Sequence, residues 1–340
     1  MRKLLNTLYI TTPESYLSKD GLNVVVSVKQ EERFRIPIIN IEGIVTFGYI
    51  GASPGLMKLC AEYGVSLSFL SPNGRFIGRF QGPIKGNVLL RKTQYQFAEE
   101  ADCSLHLAQL FIAGKIHNYR AILQRFIRDN GDYEEVRSSI DQLESSKRLS
   151  MNAKSVSTLI GVEGDAANTY FGTFPSLILH QKESFPFHGR NRHPPKDAVN
   201  TLLSFAYTLL ANECSSALES VGLDPYVGFL HTLRPGRASL ALDLMEELRA
   251  YLGDRLVLSL INRKQVTPKD FIIQGENEIT MTEDCRKTVL SAWQSRKKET
   301  IIHPYLEEKI PIGLIPYVQA LLLARTLRGD IDDYPVFLIH

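Results

Sequence analysis

The sequence predicts an α+β protein, with a β-rich N-terminal domain over residues 1–82 and a larger all-α domain over residues 83–340. Three observations carry this. Up to about residue 80 the chain alternates apolar and polar side chains in short β-branched runs, the pattern of half-buried strands. Gly82, Pro83 and Gly86 then punctuate a connector. Beyond it helix formers dominate and apolar residues recur at helical spacing. With 340 residues, 44% of them hydrophobic, the chain can bury a core in each domain.

Taken in order, the strands are Leu4 to Thr11, Ser15 to Leu17, Leu22 to Val28, Phe34 to Ile41 and Ile44 to Phe47. The Lys19-Asp20-Gly21 turn marks a hairpin between the second and third. A short helix interrupts them at Ser53 to Tyr63, because Ser53 can cap it, Pro54 suits its first position and Gly64 can end it. Val65 to Leu70 and Arg75 to Phe80 flank Pro72-Asn73-Gly74 as a further hairpin.

In the second domain, Leu105 to Arg128 reads as a core helix with a basic face carrying Lys115, Arg120, Arg125 and Arg128. Asp132 to Lys154 has few large apolar residues and reads as an exposed helical hairpin. Val156 to Phe171 reads as a helix that carries Glu163 between Gly161 and Gly164. Each glycine inside a helix costs roughly 1 kcal/mol against alanine, so the pair asks for a reason. Close approach of a backbone or phosphate to Glu163 is one reason, and tight helix packing is the other. His188 to Lys196, HGRNRHPPK, is a stiff basic loop between helical stretches. Its arginines can hold phosphates by bidentate donation, although a solvated loop explains it equally well.

Composition excludes several classes. The net charge is only +2, so any nucleic-acid signal must be local. The four cysteines, Cys60, Cys103, Cys214 and Cys285, form no CxxC pair, which reads as a reduced, cytoplasmic protein without structural zinc. The N-terminus lacks a signal-peptide pattern, and apolar runs such as Leu314 to Leu327 are too short for a membrane span.

The chemistry concentrates in His231 to Glu247, HTLRPGRASLALDLMEE. A histidine on a Gly/Pro-shaped loop precedes a helix whose Leu240, Leu244 and Leu248 form an apolar stripe. Asp243, Glu246 and Glu247 fall on or near the opposite side. An imidazole and several carboxylates suit a hard divalent ion of the magnesium or manganese kind. By these residues alone, the acids are equally compatible with a solvated face paired to Arg234 and Arg237.

GVEGDAANTYF from Gly161, HGRNRHPPKD from His188, GFLHTLRPGRASLALDLMEELR from Gly228 and the β-then-α layout resemble the CRISPR-associated adaptation integrase, the Cas-one family. The resemblance spans nearly the whole chain. It implies that Glu163, His231 and Glu246 bind Mg2+ or Mn2+, with Asp243, the first acid of the same motif, assisting either from behind the ligands or as an alternative ligand. The family often has Asp where this chain has Glu246, which keeps a carboxylate but changes its reach. Glu247 matches nothing catalytic in the family pattern. The implied activity is insertion of short foreign DNA into a CRISPR array, by attack of a 3′ hydroxyl on a repeat-boundary phosphodiester. A stand-alone metal-dependent nuclease for branched repair intermediates is the alternative, and a non-catalytic DNA scaffold is a farther one. Phosphate contacts are expected from Arg190, Arg192, Lys196, Arg234 and Arg237. The resemblance further implies a homodimer formed through the β-rich domain and a small Cas-two dimer as partner, on double-stranded DNA.

Overall fold

A computed structural model of the chain describes residues 6–48, 50–71, 76–80, 82, 88–191, 194–274 and 278–339. The chain folds as two compact units. The first comprises Met1–Lys85, Met281–Thr300 and Pro311–Leu314; the second comprises Gly86–Thr280, Ile301–Ile310 and Ile315–His340.

In the first unit the strands are β1 (Thr7–Ile10), β2 (Ser15–Asp20), β3 (Asn23–Val28), β4 (Glu31–Pro37), β5 (Gly43–Phe47), β6 (Gly51–Ala52), β7 (Ser66–Leu70) and β8 (Phe76–Phe80). They form two four-stranded sheets, ordered β1-β5-β7-β8 and β4-β3-β2-β6. The β2–β3 hairpin closes at Asp20 opposite Asn23, with Gly21 in a left-handed conformation. The expected strand from Phe34 to Ile41 instead ends at Pro37. Proline cannot donate to a ladder, and the next residues turn as a 3-10 helix that buries Ile38. Helix α1 (Pro54–Tyr63) forms as its local signals require: Ser53 accepts the Leu56 N–H, and Gly64 closes the helix at φ 67°. It joins β5 to its parallel neighbour β7 and buries Leu56, Leu59 and Cys60. Each such apolar side chain stabilises by roughly 1.5–3 kcal/mol. The turn Pro72-Asn73-Gly74 and Pro83 lie outside the described residues.

A helix from late in the chain, Glu283–Lys298, belongs to this same unit. Thr282 caps it, Trp293 is buried, and Gln294 donates to the Thr7 carbonyl at 2.9 Å, which ties it to β1.

The second unit is mostly rather than wholly helical, because a short ladder pairs β9 (Phe271–Gln274) with β10 (Glu278–Met281). Its helices are α2 (Val88–Glu99), α3 (Ala101–Asn130), α4 (Glu134–Asn152), α5 (Val156–Leu177), α6 (Ala198–Val221), α7 (Ser239–Glu246), α8 (Arg255–Asn262) and, past the late helix α9 of the first unit, α10 (Ile315–Leu327). Residues 134–152 make one helix, not the exposed hairpin the composition implied, and Val136, Ile140 and Leu143 bury its face against α3. Helix α5 runs past Phe171 to Leu177 because Phe171, Phe174 and Leu177 continue its buried side. Among the described residues, no helix is long and apolar enough to cross a membrane.

Candidate active site

Helix α7 is only eight residues long and is enclosed by α3, α6 and α10. The sequence put its acids on the side away from the leucine stripe, yet Asp243, Glu246 and Glu247 are all buried. Burial of a carboxylate is costly unless each is answered by donors or counter-charges. The three are answered in three different ways.

Asp243 is saturated by the loop that precedes the helix. Its Oδ2 accepts the N–H groups of Phe229 at 2.6 Å and Leu230 at 3.0 Å, and its Oδ1 accepts that of His231 at 3.0 Å. The same Oδ1 lies 2.6 Å from His231 Nδ1. A carboxylate only accepts, so Nδ1 carries the hydrogen and Nε2 is the nitrogen left for another partner. This assignment follows from the hydrogen-bond network. Gly228 is required for the approach, since a Cβ there would stand 2.6 Å from Asp243 Oδ2 and 2.8 Å from the Ser239 backbone.

Glu246 is answered by charge. Arg249 Nη2 donates to its Oε1 at 2.9 Å, and Lys115 Nζ lies 2.7 Å from Oε2. The Lys115 contact is a charge contact rather than an aligned hydrogen bond, and it leaves Oε2 without one. Burial on its own would raise the Glu246 pKa, but Arg249, then Lys115 and His231, overcome it and hold the carboxyl lowered. The same Lys115 ammonium donates to Glu163 Oε1, so one lysine on α3 bridges a carboxylate on α5 and another on α7.

Glu163 remains about a quarter exposed. A Cβ built on Gly161 or Gly164 would meet nothing within 4 Å. Tight packing within the chain therefore does not explain these glycines, and the helix face beside Glu163 is open.

Glu247 is answered by the C-terminal tail. Phe337 N–H donates to its Oε2 at 2.5 Å, Gln319 donates at 3.2 Å and the Tyr334 hydroxyl donates to Oε1. Burial pushes its carboxyl up to about 7 against these hydrogen bonds. Asn118 on α3 fastens the assembly, donating to the Glu247 carbonyl at 2.7 Å and to the Phe337 carbonyl at 2.8 Å.

Among the described residues, no three His, Cys, Asp or Glu side chains stand as a ready metal cage. Glu163 and Glu246 are instead brought together on Lys115, with His231 near enough to act on Glu246. The donor chemistry fits a divalent ion nonetheless. It comprises two carboxylates, one with a buried oxygen lacking an aligned donor, and an imidazole whose open nitrogen is set by a buried aspartate.

The basic residues divide. Arg190 points inward, donating to Asn200 Oδ1 at 2.7 Å and Ser204 Oγ at 3.0 Å, with its guanidinium 5.3 Å from the Tyr207 ring centre. It shapes its loop. Arg237 clasps the His231 loop through Thr232 Oγ1 at 3.0 Å. Arg234 and Lys196 are exposed, and Arg192 lies outside the described residues.

Two site residues escaped the sequence reading. Lys115 was placed on a basic helix face, but it is buried. The signal was its register: Leu107, Phe111, Lys115 and Tyr119 step by four along the buried stripe of α3. Arg249 follows α7 in a π-helical turn, Arg249–Asp254, and its guanidinium stacks 4.8 Å from the Tyr207 ring centre. A buried arginine three residues past a buried glutamate is a helical ion pair, invisible until burial is known.

Comparison with known proteins adds a separate line. Residues 8–295 match the family described as CRISPR associated protein Cas1. A relative from Chlorobaculum tepidum described as CRISPR-associated endonuclease Cas1 1 is 49% identical over 340 residues, covering 99% of each chain. The fold is similar to a casposase bound to an integration product, at TM-score 0.83 and 24% identity over 97% of this chain and 92% of that one. It is also similar to part of a Cas6-RT-Cas1–Cas2 complex, at TM-score 0.82 and 21% identity over 98% of this chain and 36% of that one.

Proposed function

This chain belongs to the Cas1 family of CRISPR-associated proteins, and from that premise we propose that it inserts short foreign DNA fragments into a CRISPR array by metal-dependent strand transfer. The observation that carries this reading is the convergence of Glu163 and Glu246 on one buried cation, beside an imidazole held by Asp243. Glu163, His231 and Glu246 would hold Mg2+ or Mn2+. Such an ion supplies Lewis-acid polarisation of a phosphoryl oxygen and favours an ionised nucleophile.

The protein's own residues do the rest. Asp243 takes the Nδ1 side of His231, so that Nε2 is the nitrogen that would bind the ion. Arg249 holds one oxygen of Glu246 and leaves the other to the site. The exposed Arg234 and Lys196 are suited to neutralise DNA phosphates, while Arg237 keeps the His231 loop closed through Thr232. In the reaction, a bond forms between the incoming 3′ oxygen and the repeat-boundary phosphorus. The bond from that phosphorus to the repeat strand's own 3′ oxygen breaks, and the proton of the attacking hydroxyl is transferred to the departing oxygen through solvent.

The partners follow from the same premise: double-stranded DNA, a second copy of this chain joined through the β-rich unit, and a small Cas-two dimer. A relative described as an endonuclease favours a second reading, hydrolysis of branched DNA at the same site with water in place of the 3′ hydroxyl. Products from a half-site disintegration substrate separate the two, since strand transfer reseals a strand and hydrolysis does not.

The central test is Glu163→Ala. Strand transfer should fall by well over the ~10–100-fold that removing a ligand's supporting partner costs. Melting temperature and DNA affinity should stay close to wild type, because Glu163 is partly exposed and Lys115 keeps Glu246 as a partner. Retained strand transfer would end the assignment.

A further inference from the structure

The proposed site contains a residue that neither the sequence reading nor the family resemblance assigns, and it stands between the two carboxylates meant for the metal. Lys115 is 3% exposed. Its Nζ contacts Glu163 and lies 2.7 Å from Glu246 Oε2, while the Tyr119 ring centre is 5.7 Å away. An ammonium is a compact cation on a flexible four-carbon stem. Here it bridges carboxylates from two helices, as a metal ion would.

Counting charges shows what this does. Glu163, Glu246 and the Asp243 carboxylate beside His231 contribute three negative charges, and Lys115 and Arg249 contribute two positive ones, so the site carries one net negative charge as it stands. A divalent ion added between the same carboxylates would leave an excess of one positive charge in a mostly buried place, which release of the Lys115 ammonium would remove. Like charges a few ångströms apart repel strongly where water is largely excluded. Arg249 cannot easily yield, because it is fixed on Glu246 Oε1 and packed on Tyr207. Lys115 can, because its contact with Glu246 is unaligned and the helix face beside Glu163 is open.

We propose that Lys115 is an internal counter-cation that occupies the ion position between Glu163 and Glu246, is displaced when a divalent ion binds, and then serves the DNA phosphate at the reaction centre. This rests on the metal-dependent reading above and adds to it a competitor built into the protein. In the absence of metal, Lys115 keeps the buried Glu246 and the partly exposed Glu163 from facing each other with no cation between them. When the ion is bound, the freed ammonium lies where negative charge from the substrate arrives, which restores the balance.

The test compares wild type, Lys115→Met and Lys115→Arg by calorimetric titration with MnCl2, by electron paramagnetic resonance of free Mn2+, by melting temperature in EDTA, and by strand transfer. Lys115→Met should bind Mn2+ about tenfold or more tightly, because the competing cation is gone. It should also melt lower than wild type in EDTA and regain more on adding Mn2+. Its strand transfer should nevertheless fall, and tighter metal with slower reaction is a pairing that loss of packing does not give. Lys115→Arg keeps the charge in a planar fork that is harder to displace, so it should bind Mn2+ more weakly than wild type. Should the methionine variant fail to fold in EDTA, the arginine variant alone decides. Equal or weaker Mn2+ binding by Lys115→Met, or equal or tighter binding by Lys115→Arg, overturns the displacement while leaving the metal reading intact. Absence of Mn2+ binding in all three proteins removes the metal reading, and the displacement with it.

Discussion

Glu246 and Glu247 are neighbours in sequence and both are buried, yet the regions around them solve that burial in opposite ways. The corner at Glu246 uses charges: Arg249 on one oxygen, and Lys115 shared with Glu163 on the other. The region at Glu247 uses neutral donors, from Gln319, Tyr334 and the Phe337 backbone, with Asn118 fastening the tail to α3. On the proposed function, the difference separates the acid that would hold an ion from the one that holds the fold. Oriented neutral donors fix a carboxylate in place and leave it nothing to exchange. On the proposed reading, a carboxylate held by an ammonium on a flexible stem can exchange it for another cation.

Replacing Glu247 by Ala should therefore have the largest effect on stability. It strands the Tyr334 hydroxyl, the Gln319 amide and the Phe337 N–H in the interior, each costing ~1–3 kcal/mol when unpaired. With Gln319 keeping other partners, we expect a loss of about 3 kcal/mol in urea unfolding, with the tail becoming an early cleavage site in limited proteolysis. Unchanged stability with strand transfer abolished would reverse the comparison and move Glu247 into the reacting group.

Asp243 tests the border between the two regions. It is saturated like Glu247, but what it saturates is the loop that carries His231. Asp243→Asn replaces an acceptor by a donor against N–H groups. Strand transfer should drop ~10–100-fold, the usual cost of losing the partner that orients a ligand. A loss as deep as that of Glu163→Ala would make Asp243 a ligand, and no loss would detach the loop geometry from the reaction.

These residues also show what the sequence could and could not tell. Helix α1 was legible because Ser53, Pro54 and Gly64 act within a turn of the backbone they govern. The parallel ladder β1-β5-β7 was not, since parallel pairing joins distant segments and leaves no turn signature between partners. Nor does any local signal tie Gln294 in the late helix to Thr7. In the candidate site, His231, Asp243, Glu246 and Glu163 have side chains that suit a hard cation, but it was the family resemblance that joined them into one set. Lys115 could not be named, because a lysine between apolar residues reads as a solvated face until its partners from two other helices are known. The burial of all three α7 acids was likewise hidden, because a leucine stripe shows one packed side and the others depend on α3, α10 and a tail brought in from the end of the chain.

Asp254 offers the finest discrimination. It is fully buried, accepts the Tyr207 hydroxyl at 2.5 Å and belongs, like Glu247, with the acids held by neutral donors. Burial raises its pKa to about 6, against the hydrogen bond from Tyr207 and the charges of Arg249 and Arg190. An acid whose pKa is raised by folding stabilises the fold fully below its unfolded value of 3.8, and that contribution fades as pH rises through about 6. Glu246, with its pKa lowered, runs the other way: its contribution is present above its ordinary range and is lost as the solution becomes strongly acidic. In Asp254→Asn the side chain still accepts from Tyr207 but no longer ionises. Relative to this variant, wild type should lose about 1 kcal/mol between about pH 5 and about pH 8, read from urea midpoints at matched ionic strength. Parallel curves would mean that Asp254 ionises in the fold as readily as outside it. The division between acids held by neutral donors and acids held by charge would then fail at the one position where no proposed metal ligand is in contact to confuse the measurement.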